Sequence, residues 1–296
     1  YEILPSDWSS DVCSSDLCVY CQLGRTERYV TARKEFYPHE EVLAEIQQSL
    51  HSGMNIDWMT FVGSGETLLY KGIGRLITRV KRMTEIPVAV ITNGSLLYLR
   101  DVRDELLQAD AVLPSLNAGS EKLYERIGRP APGFTFRRHL DGLCAFREEC
   151  KGKLWVEVML LCGLNDSDEA LRDLATALRQ ISPDMIHLVL PTRPVPERHV
   201  ALPDPDRIAR AVALLGSVAP VAHPVQGTME LSGAGDLLES VTSIVSRHPV
   251  QEKELIAALV ARYPERSKAE SVMRDLFASG RFSTIERAGE LYWTVV

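Results

Sequence analysis

Hydrophobic and polar positions alternate in two different rhythms along most of this chain. From Pro38 the residues Val42, Leu43, Ile46 and Leu50 recur at helical spacing. Ile73, Leu76, Ile77 and Val80 mark a second helix, and further helical patterns cover roughly 119–127, 134–150 and 168–180. Between them lie short apolar, β-rich runs at Trp58–Val62, Pro87–Thr92, Ala111–Leu116, Leu154–Leu161 and Met185–Leu190, with Tyr1–Leu4 reading as the end of a sixth. A proline-rich loop over 191–205 follows.

Continuously apolar strands separated by amphipathic helices imply a parallel sheet covered by helices. Right-handed crossovers curl such a repeat into a barrel or a doubly wound sheet. Six strands suit an incomplete barrel, so the expectation is an α/β fold, a partial (β/α)6-type TIM-like barrel over residues 1–222. A linker over 223–234, near Gly233 and Gly235, leads to a second region at 235–296. There three helical patterns (about 235–247, 251–263 and 267–280) precede strand-like runs at Phe282–Ile285 and Leu291–Val295, the element order of a winged helix.

Composition narrows the picture only a little. A hydrophobic fraction of 45% and a charged fraction of 25% are those of an ordinary globular protein, and a net charge of −7 argues against a surface built wholly around a polyanion. No run of about 18 apolar residues suggests a membrane span, and no charged-then-apolar leader is visible. The chain opens at Tyr1 rather than Met and reads as a fragment or a processed product. Its six cysteines are Cys13, Cys18, Cys21, Cys144, Cys150 and Cys162. Three crowd together and three are scattered, a poor disulfide framework that points to a reducing cytoplasm and a metal or cluster loop.

Cys18-Val19-Tyr20-Cys21 is the sharpest local feature. Two thiolates three positions apart can hold one metal or two irons of one cluster. Zinc half-sites and redox dithiols use the same spacing. A structural zinc needs a second ligand pair, and Cys144 and Cys150 stand on a helical pattern as buried hydrophobes. A thioredoxin-like dithiol should open a helix, whereas Gln22, Leu23 and Gly24 lead into a polar stretch. The second feature is where polar and glycine residues fall. Gly63-Ser64-Gly65-Glu66, Thr92-Asn93-Gly94, Ser115-Leu116-Asn117, Cys162-Gly163-Leu164-Asn165 and Thr192-Arg193-Pro194 each follow a strand. In a parallel barrel those ends share one rim, where active sites are built. Singly each is a turn; together, beside a cysteine loop, they point to a binding site.

These residues resemble the radical S-adenosylmethionine superfamily. Cys18-Val19-Tyr20-Cys21 is similar to the last two cysteines of its cluster loop, and Gly63-Ser64-Gly65-Glu66 to its glycine-glycine-glutamate motif. The runs CVYCQLGRT, ITNGSLLY and LPSLNAG look most like iron–sulfur oxidoreductases related to the wyosine-forming tRNA enzyme. The resemblance covers residues 1 to about 200. It implies a [4Fe-4S] cluster held through three irons by cysteines, here Cys13, Cys18 and Cys21. The fourth iron is left to the amino and carboxylate groups of S-adenosylmethionine. It further implies cofactor contacts from Gly63, Ser64, Gly65 and Glu66, Tyr20 against the adenine, and Asn93, Ser115, Asn117 and Glu157 at the ribose or methionyl end. The implied chemistry is one-electron cleavage of the sulfonium and hydrogen abstraction by a 5′-deoxyadenosyl radical. A flavodoxin or ferredoxin would supply the electron, and the substrate would be an RNA, such as a tRNA base, or a protein.

The family spacing sets the first cysteine at position 14, where this chain has Ser14, with Cys13 one residue away. Both lie in Ser6–Leu17, which nearly repeats Ser-Ser-Asp at 9–11 and 14–16 and resembles an adapter-derived stretch that has overwritten the natural loop. Glu66 is followed by Thr67 where the family usually has proline, and no second upstream cysteine set of the wyosine kind is visible. Arg25, Arg28, Arg33 and Lys34 form a basic run read as a solvated loop, with phosphate contact the alternative. Residues 248–296 hold seven Lys or Arg and seven Asp or Glu, so the winged-helix region reads as a protein-contact or substrate-presenting module rather than an RNA reader. The rival readings are a metal-binding regulator acting through its winged helix and a zinc-dependent barrel hydrolase. His187, inside a strand, reads as a packed histidine.

Overall fold

The computed structural model describes residues 2–3, 18–22, 30–51, 56–63, 65–195, 197, 199–222, 231, 237–247, 249–263, 265–287 and 289–296. The chain divides into two compact units, Tyr1–Pro191 with Pro196–His223, and Thr192–Val195 with Pro224–Val296.

In the first unit strands and helices alternate: β1 (Glu2–Ile3), α1 (His39–Leu50), β2 (Met59–Phe61), α2 (Ile73–Met83), β3 (Val88–Thr92), α3 (Arg100–Leu106), β4 (Ala111–Pro114), α4 (Glu121–Gly128), α5 (Phe136–Glu149), β5 (Lys153–Met159), α6 (Asp168–Ile181), β6 (Met185–Val189), α7 (Pro205–Leu215) and β7 (Val221–Ala222). The seven strands lie in sequence order, and every neighbouring pair is parallel. A doubly wound sheet would reverse its strand order at a switch point, so that alternative falls. The sheet is also strongly curved. Trp58, just before β2, and Trp155 on β5 are three strands apart, about 14 Å in a flat sheet. Their ring centroids are 5.3 Å apart. The sheet therefore curls until opposite walls touch, as a partial barrel requires.

Three elements exceed the sequence expectation. Strand β7 is a seventh strand of two residues, the proline-rich stretch ends where Pro205 opens α7, and α3 was not foreseen. Helix α3 hides because its Arg103 is buried, paired with Glu149 at 2.8 and 3.0 Å and donating to the carbonyls of Leu97 and Tyr98. A charged position on an inward helix face breaks the apolar period.

The core lies between the outer sheet face and the helices. Val156 and Val158 on β5, Ile77 and Val80 on α2, and Leu171, Leu174, Leu178 and Ile181 on α6 are all fully buried. Helices start where side chains can accept their free N–H groups: Thr135, Ser167 and Asp204 cap α5, α6 and α7, the last with Pro205 in its first turn. Gly119 permits a close approach, since a Cβ there would lie 2.2 Å from the backbone of Asp173 on α6.

The second unit contains α8 (Leu237–Arg247), β8 (Val250–Gln251), α9 (Glu252–Arg262), α10 (Arg266–Ala278), β9 (Phe282–Arg287) and β10 (Glu290–Val295), with β10 central in an antiparallel three-stranded sheet. Its separate core gathers Val241, Leu255, Leu259, Leu276 and Trp293.

Candidate active site

Four of the five rim segments named from sequence are joined by hydrogen bonds at the C-terminal ends of β2 to β5. Glu66 follows β2, is 1% exposed, and accepts from Leu68 N at 2.9 Å, Asn93 N at 2.7 Å and the Thr92 hydroxyl. Burial pushes its carboxyl up, and these three donors offset that in part. The carboxyl thus bolts the end of β2 to the end of β3. Gly94, with φ of +76°, turns the chain away, its N–H donating to Thr92 Oγ1 at 3.0 Å. Asn93 Oδ1 accepts from Ser95 N at 2.9 Å, and Ser115 N donates to Thr92 O at 3.0 Å.

Asn117, after β4, accepts from Met159 N on β5 at 2.7 Å and donates to the Tyr20 hydroxyl at 2.6 Å. Asn165 is 1% exposed and completes this arrangement. Its amide donates to Asn117 O at 2.9 Å and Met159 O at 2.8 Å, and its Oδ1 accepts from Leu161 N at 2.7 Å. The cysteine loop is thereby tied to the ends of two strands. A second tie runs from Val19 N to Ile127 O on α4, 2.9 Å. Cys21 N donates to Cys18 O at 2.8 Å, so both half-buried, reduced thiols come from one turn. Burial, then the neighbouring Cys18, holds the Tyr20 phenol well above its ordinary pKa, so it stays protonated.

A pocket of about 500 Å³, counted to its open mouth, is lined by Cys18, Tyr20, Asn93, Ser115, Asn117 and His139 among others. Five of those were expected from sequence. Gly63, Gly65 and Glu66 follow β2 and do not line it, Cys21 lies on the cysteine turn, and Glu157 faces the barrel interior from β5. Cys13 and Ser64 lie outside the described residues, as do Arg25 and Arg28. Thr192 to Pro194 falls in the other compact unit.

His139, Tyr124 and Asn165 were missed as site residues. His139 is 5% exposed, its Nδ1 lies 3.2 Å from Tyr124 Oη, and burial pulls its pKa down to about 4. Its Nε2 has no hydrogen-bond partner, although the nearby Ser115 backbone offsets the shift slightly. On a helix beside Leu140 and Leu143 it reads from sequence as a core residue; only the asparagine in Cys162–Asn165 carried a signal. Arg33 corrects another expectation. It is no solvated cation: Nε donates to Leu68 O at 2.7 Å, and its guanidinium reaches Glu105 at 2.9 Å and Tyr70 O at 3.3 Å. It satisfies carbonyls left free by the short 3-10 turn Thr67–Leu69. Cys144 and Cys150 pack partly buried against the core, as expected.

A parallel partial barrel with a cysteine turn on its C-terminal rim defines a class, and comparison with known proteins supplies the family. The model of the Radical SAM superfamily matches residues 9–175, more than half of the chain, and the chain belongs to that superfamily. The UPF0026 protein MJ1312 of Methanocaldococcus jannaschii is 28% identical over 288 residues, covering 95% of this chain and 88% of that protein. A 44% identical stretch of 176 residues, 60% of this chain, is shared with GTPase Obg of Brachyspira hyodysenteriae and spans 26% of that protein. No glycine–lysine–serine/threonine phosphate loop occurs in the 296 residues here. Among solved structures, a radical SAM methyltransferase from Sphaerobacter thermophilus superposes with TM-score 0.57 at 20% identity, over 73% of this chain and 64% of that one. Coproporphyrinogen III oxidase (HemN) of Escherichia coli gives 0.50 at 15%, over 73% and 52%. Both likenesses concern the fold.

Members of this superfamily are enzymes that use a [4Fe-4S] cluster and S-adenosylmethionine. The donors present fit such a cluster: two reduced thiols on one turn, beside uncharged polar groups, with no competing disulfide among the described residues. No described helix is long and apolar enough to cross a membrane.

Proposed function

We propose that Cys18 and Cys21, with Cys13 or the residue that belongs at position 14, hold the cluster, and that the rim pocket binds S-adenosylmethionine for radical hydrogen abstraction from a separate substrate. The observation that carries this is the Asn117–Tyr20 hydrogen bond of 2.6 Å, which fixes the cysteine turn directly over the pocket formed by the ends of β3 and β4. When bound, the cluster supplies the low-potential electron for sulfonium cleavage. The protein's own residues do the rest. Tyr20, Asn93, Ser115 and Asn117 orient the nucleoside and methionyl ends, and the backbone of Gly63, Ser64 and Gly65 takes the amino group. Glu66, next in the chain, is fixed to the end of β3 through Thr92 and Asn93.

A flavodoxin or ferredoxin is the proposed reductant. The C-terminal unit, read as a winged-helix module of residues 235–296, would present a protein or RNA substrate, a tRNA base being the candidate from the wyosine-related motifs. Its balanced charge favours protein contact. The test is anaerobic incubation of the reconstituted, dithionite-reduced protein with S-adenosylmethionine, followed by chromatography for 5′-deoxyadenosine. The nucleoside should form and be lost in Cys18→Ala; its absence from a protein carrying a full complement of iron and sulfide would overturn the proposal.

A further inference from the structure

The inner wall of the barrel carries two polar groups that the cofactor reading leaves unexplained. Along β5 the residues alternate, with Leu154, Val156 and Val158 buried in the core and Trp155, Glu157 and Met159 facing the interior. Glu157 pairs in register with His187 of β6, on the same face. Beneath them Trp155 stacks on the His187 ring at 5.5 Å and 26° and meets Trp58 from the opposite wall, closing the interior with an aromatic floor. Above them stands Tyr20, close enough for its phenol to feel the Glu157 charge.

His187 Nε2 is buried without a hydrogen-bond partner, and burial pushes the partly exposed Glu157 carboxyl upward. The two do not pair with each other, and the imidazole stacks on Trp155 instead. Buried polar groups without partners are rare and call for an explanation. The described inward positions near Glu157 and His187 are Thr60, Ile91 and Leu113 on β2 to β4, Ser115 just after β4, and Met159 and Val189 on β5 and β6, with no Lys or Arg among these. The interior thus offers a carboxylate, an imidazole nitrogen that accepts in its Nδ1–H tautomer, an aromatic wall, and no cation.

We infer that Glu157 and His187 form the substrate seat of the barrel and select a small molecule bearing a protonated nitrogen, an amine or amidine, whose N–H groups donate to both. An ammonium group matches two adjacent acceptors, neutralises the carboxylate and gains from the indole and imidazole faces. A hydroxyl supplies one donor and no charge. This deepens the proposed function by naming the substrate class, and it assigns Glu157 to substrate rather than to the cofactor contact expected from sequence.

The test uses the full chain and three isosteric probes, butylamine, butanol and butyrate, with binding read from the His187 imidazole proton and nitrogen resonances. Butylamine should shift them saturably while the alcohol and the acid do not. Glu157→Gln should weaken the amine by about tenfold or more, the scale of one lost charge-assisted hydrogen bond. His187→Phe, which keeps the stack but removes the acceptor, should weaken it less when read by competition from Glu157 carboxyl resonances. Equal binding of butanol, an undiminished response in Glu157→Gln, the absence of any saturable shift, or displacement of butylamine by S-adenosylmethionine would each overturn the inference. Iron content and 5′-deoxyadenosine formation, measured on the same preparations, report separately on the radical chemistry, so failure of the seat and failure of the cofactor reading are distinguishable.

Discussion

The two ends of the barrel solve one problem with different chemistry. At the N-terminal end, Asp110 and Asp184 each precede a strand and accept the N–H of the first core residue on the neighbouring strand, Val88 and Leu154, both at 2.8 Å. Each also has a cation: Lys81 Nζ at 2.5 Å for Asp110, and Arg147 at 3.0 and 3.3 Å for Asp184. Burial pushes both carboxyls up, yet the N–H groups and cations outweigh it and hold them below the ordinary aspartate value. At the C-terminal end Glu66 performs the same strand-to-strand bolting with two N–H groups and a hydroxyl but no cation, and burial keeps its pKa raised. Asn117 and Asn165 on the same rim bind through neutral amides. The two aspartates that hold the N-terminal end carry compensating cations, whereas Glu66, beside the proposed cofactor site, has none, in keeping with a barrel whose site lies at the C-terminal face.

The largest effect that would break this comparison is at Glu66. Glu66→Leu strands three buried donors and should lower unfolding stability by about 3 kcal/mol or more in a denaturant titration; Glu66→Gln, which keeps the acceptor oxygen, should recover most of it. Asn165→Ala leaves two carbonyls and one N–H without their partner, for an expected loss of about 2 to 3 kcal/mol. It should also loosen the cysteine turn, seen as faster hydrogen exchange of the amides at 19 and 21 relative to those on α2. An unchanged exchange ratio would show that the amide network does not hold the loop.

The third effect depends on pH. His139 is kept neutral by burial with its pKa near 4, against 6.5 when unfolded. The unfolded chain therefore binds the extra proton, and stability present above 6.5 is lost as pH falls toward 4, at about 1.4 kcal/mol per pH unit. His139→Gln should flatten that slope in melts across this window. The smallest effect belongs to the opposite end. Asp184→Asn keeps an acceptor for Leu154 N but loses the charged pairing with Arg147, for about 1 kcal/mol at neutral pH. Because the Asp184 pKa is depressed, that difference should shrink as pH falls below 3.8 and through the folded value.

Much of the barrel is legible in the sequence, because strands roofed by helices are written as apolar runs such as Val88–Ile91. What escaped has a local cause. Strand β7 is two residues long after Pro220, and α3 buries a charged residue. The rim was readable as turn chemistry, and Asn93, Ser115 and Asn117 of the pocket follow from it, while Cys18 and Tyr20 follow from the cysteine motif. The partners that organise it were not, since Asn165 and Asn117 meet across 48 positions and Arg33 finds carbonyls 35 and 37 residues away. Nothing local to Arg33 says that those carbonyls are free.

The central claim is that the Cys18–Cys21 turn carries a cluster with one iron open to S-adenosylmethionine. Anaerobic electron paramagnetic resonance of the reconstituted, reduced protein, with and without that cofactor, tests it directly, both on this chain and on a Ser14→Cys, Cys13→Ala variant. A reduced four-iron signal, stronger in the variant, should appear and change shape when S-adenosylmethionine is added. A cluster signal indifferent to the cofactor in both proteins, or none in either, would contradict it.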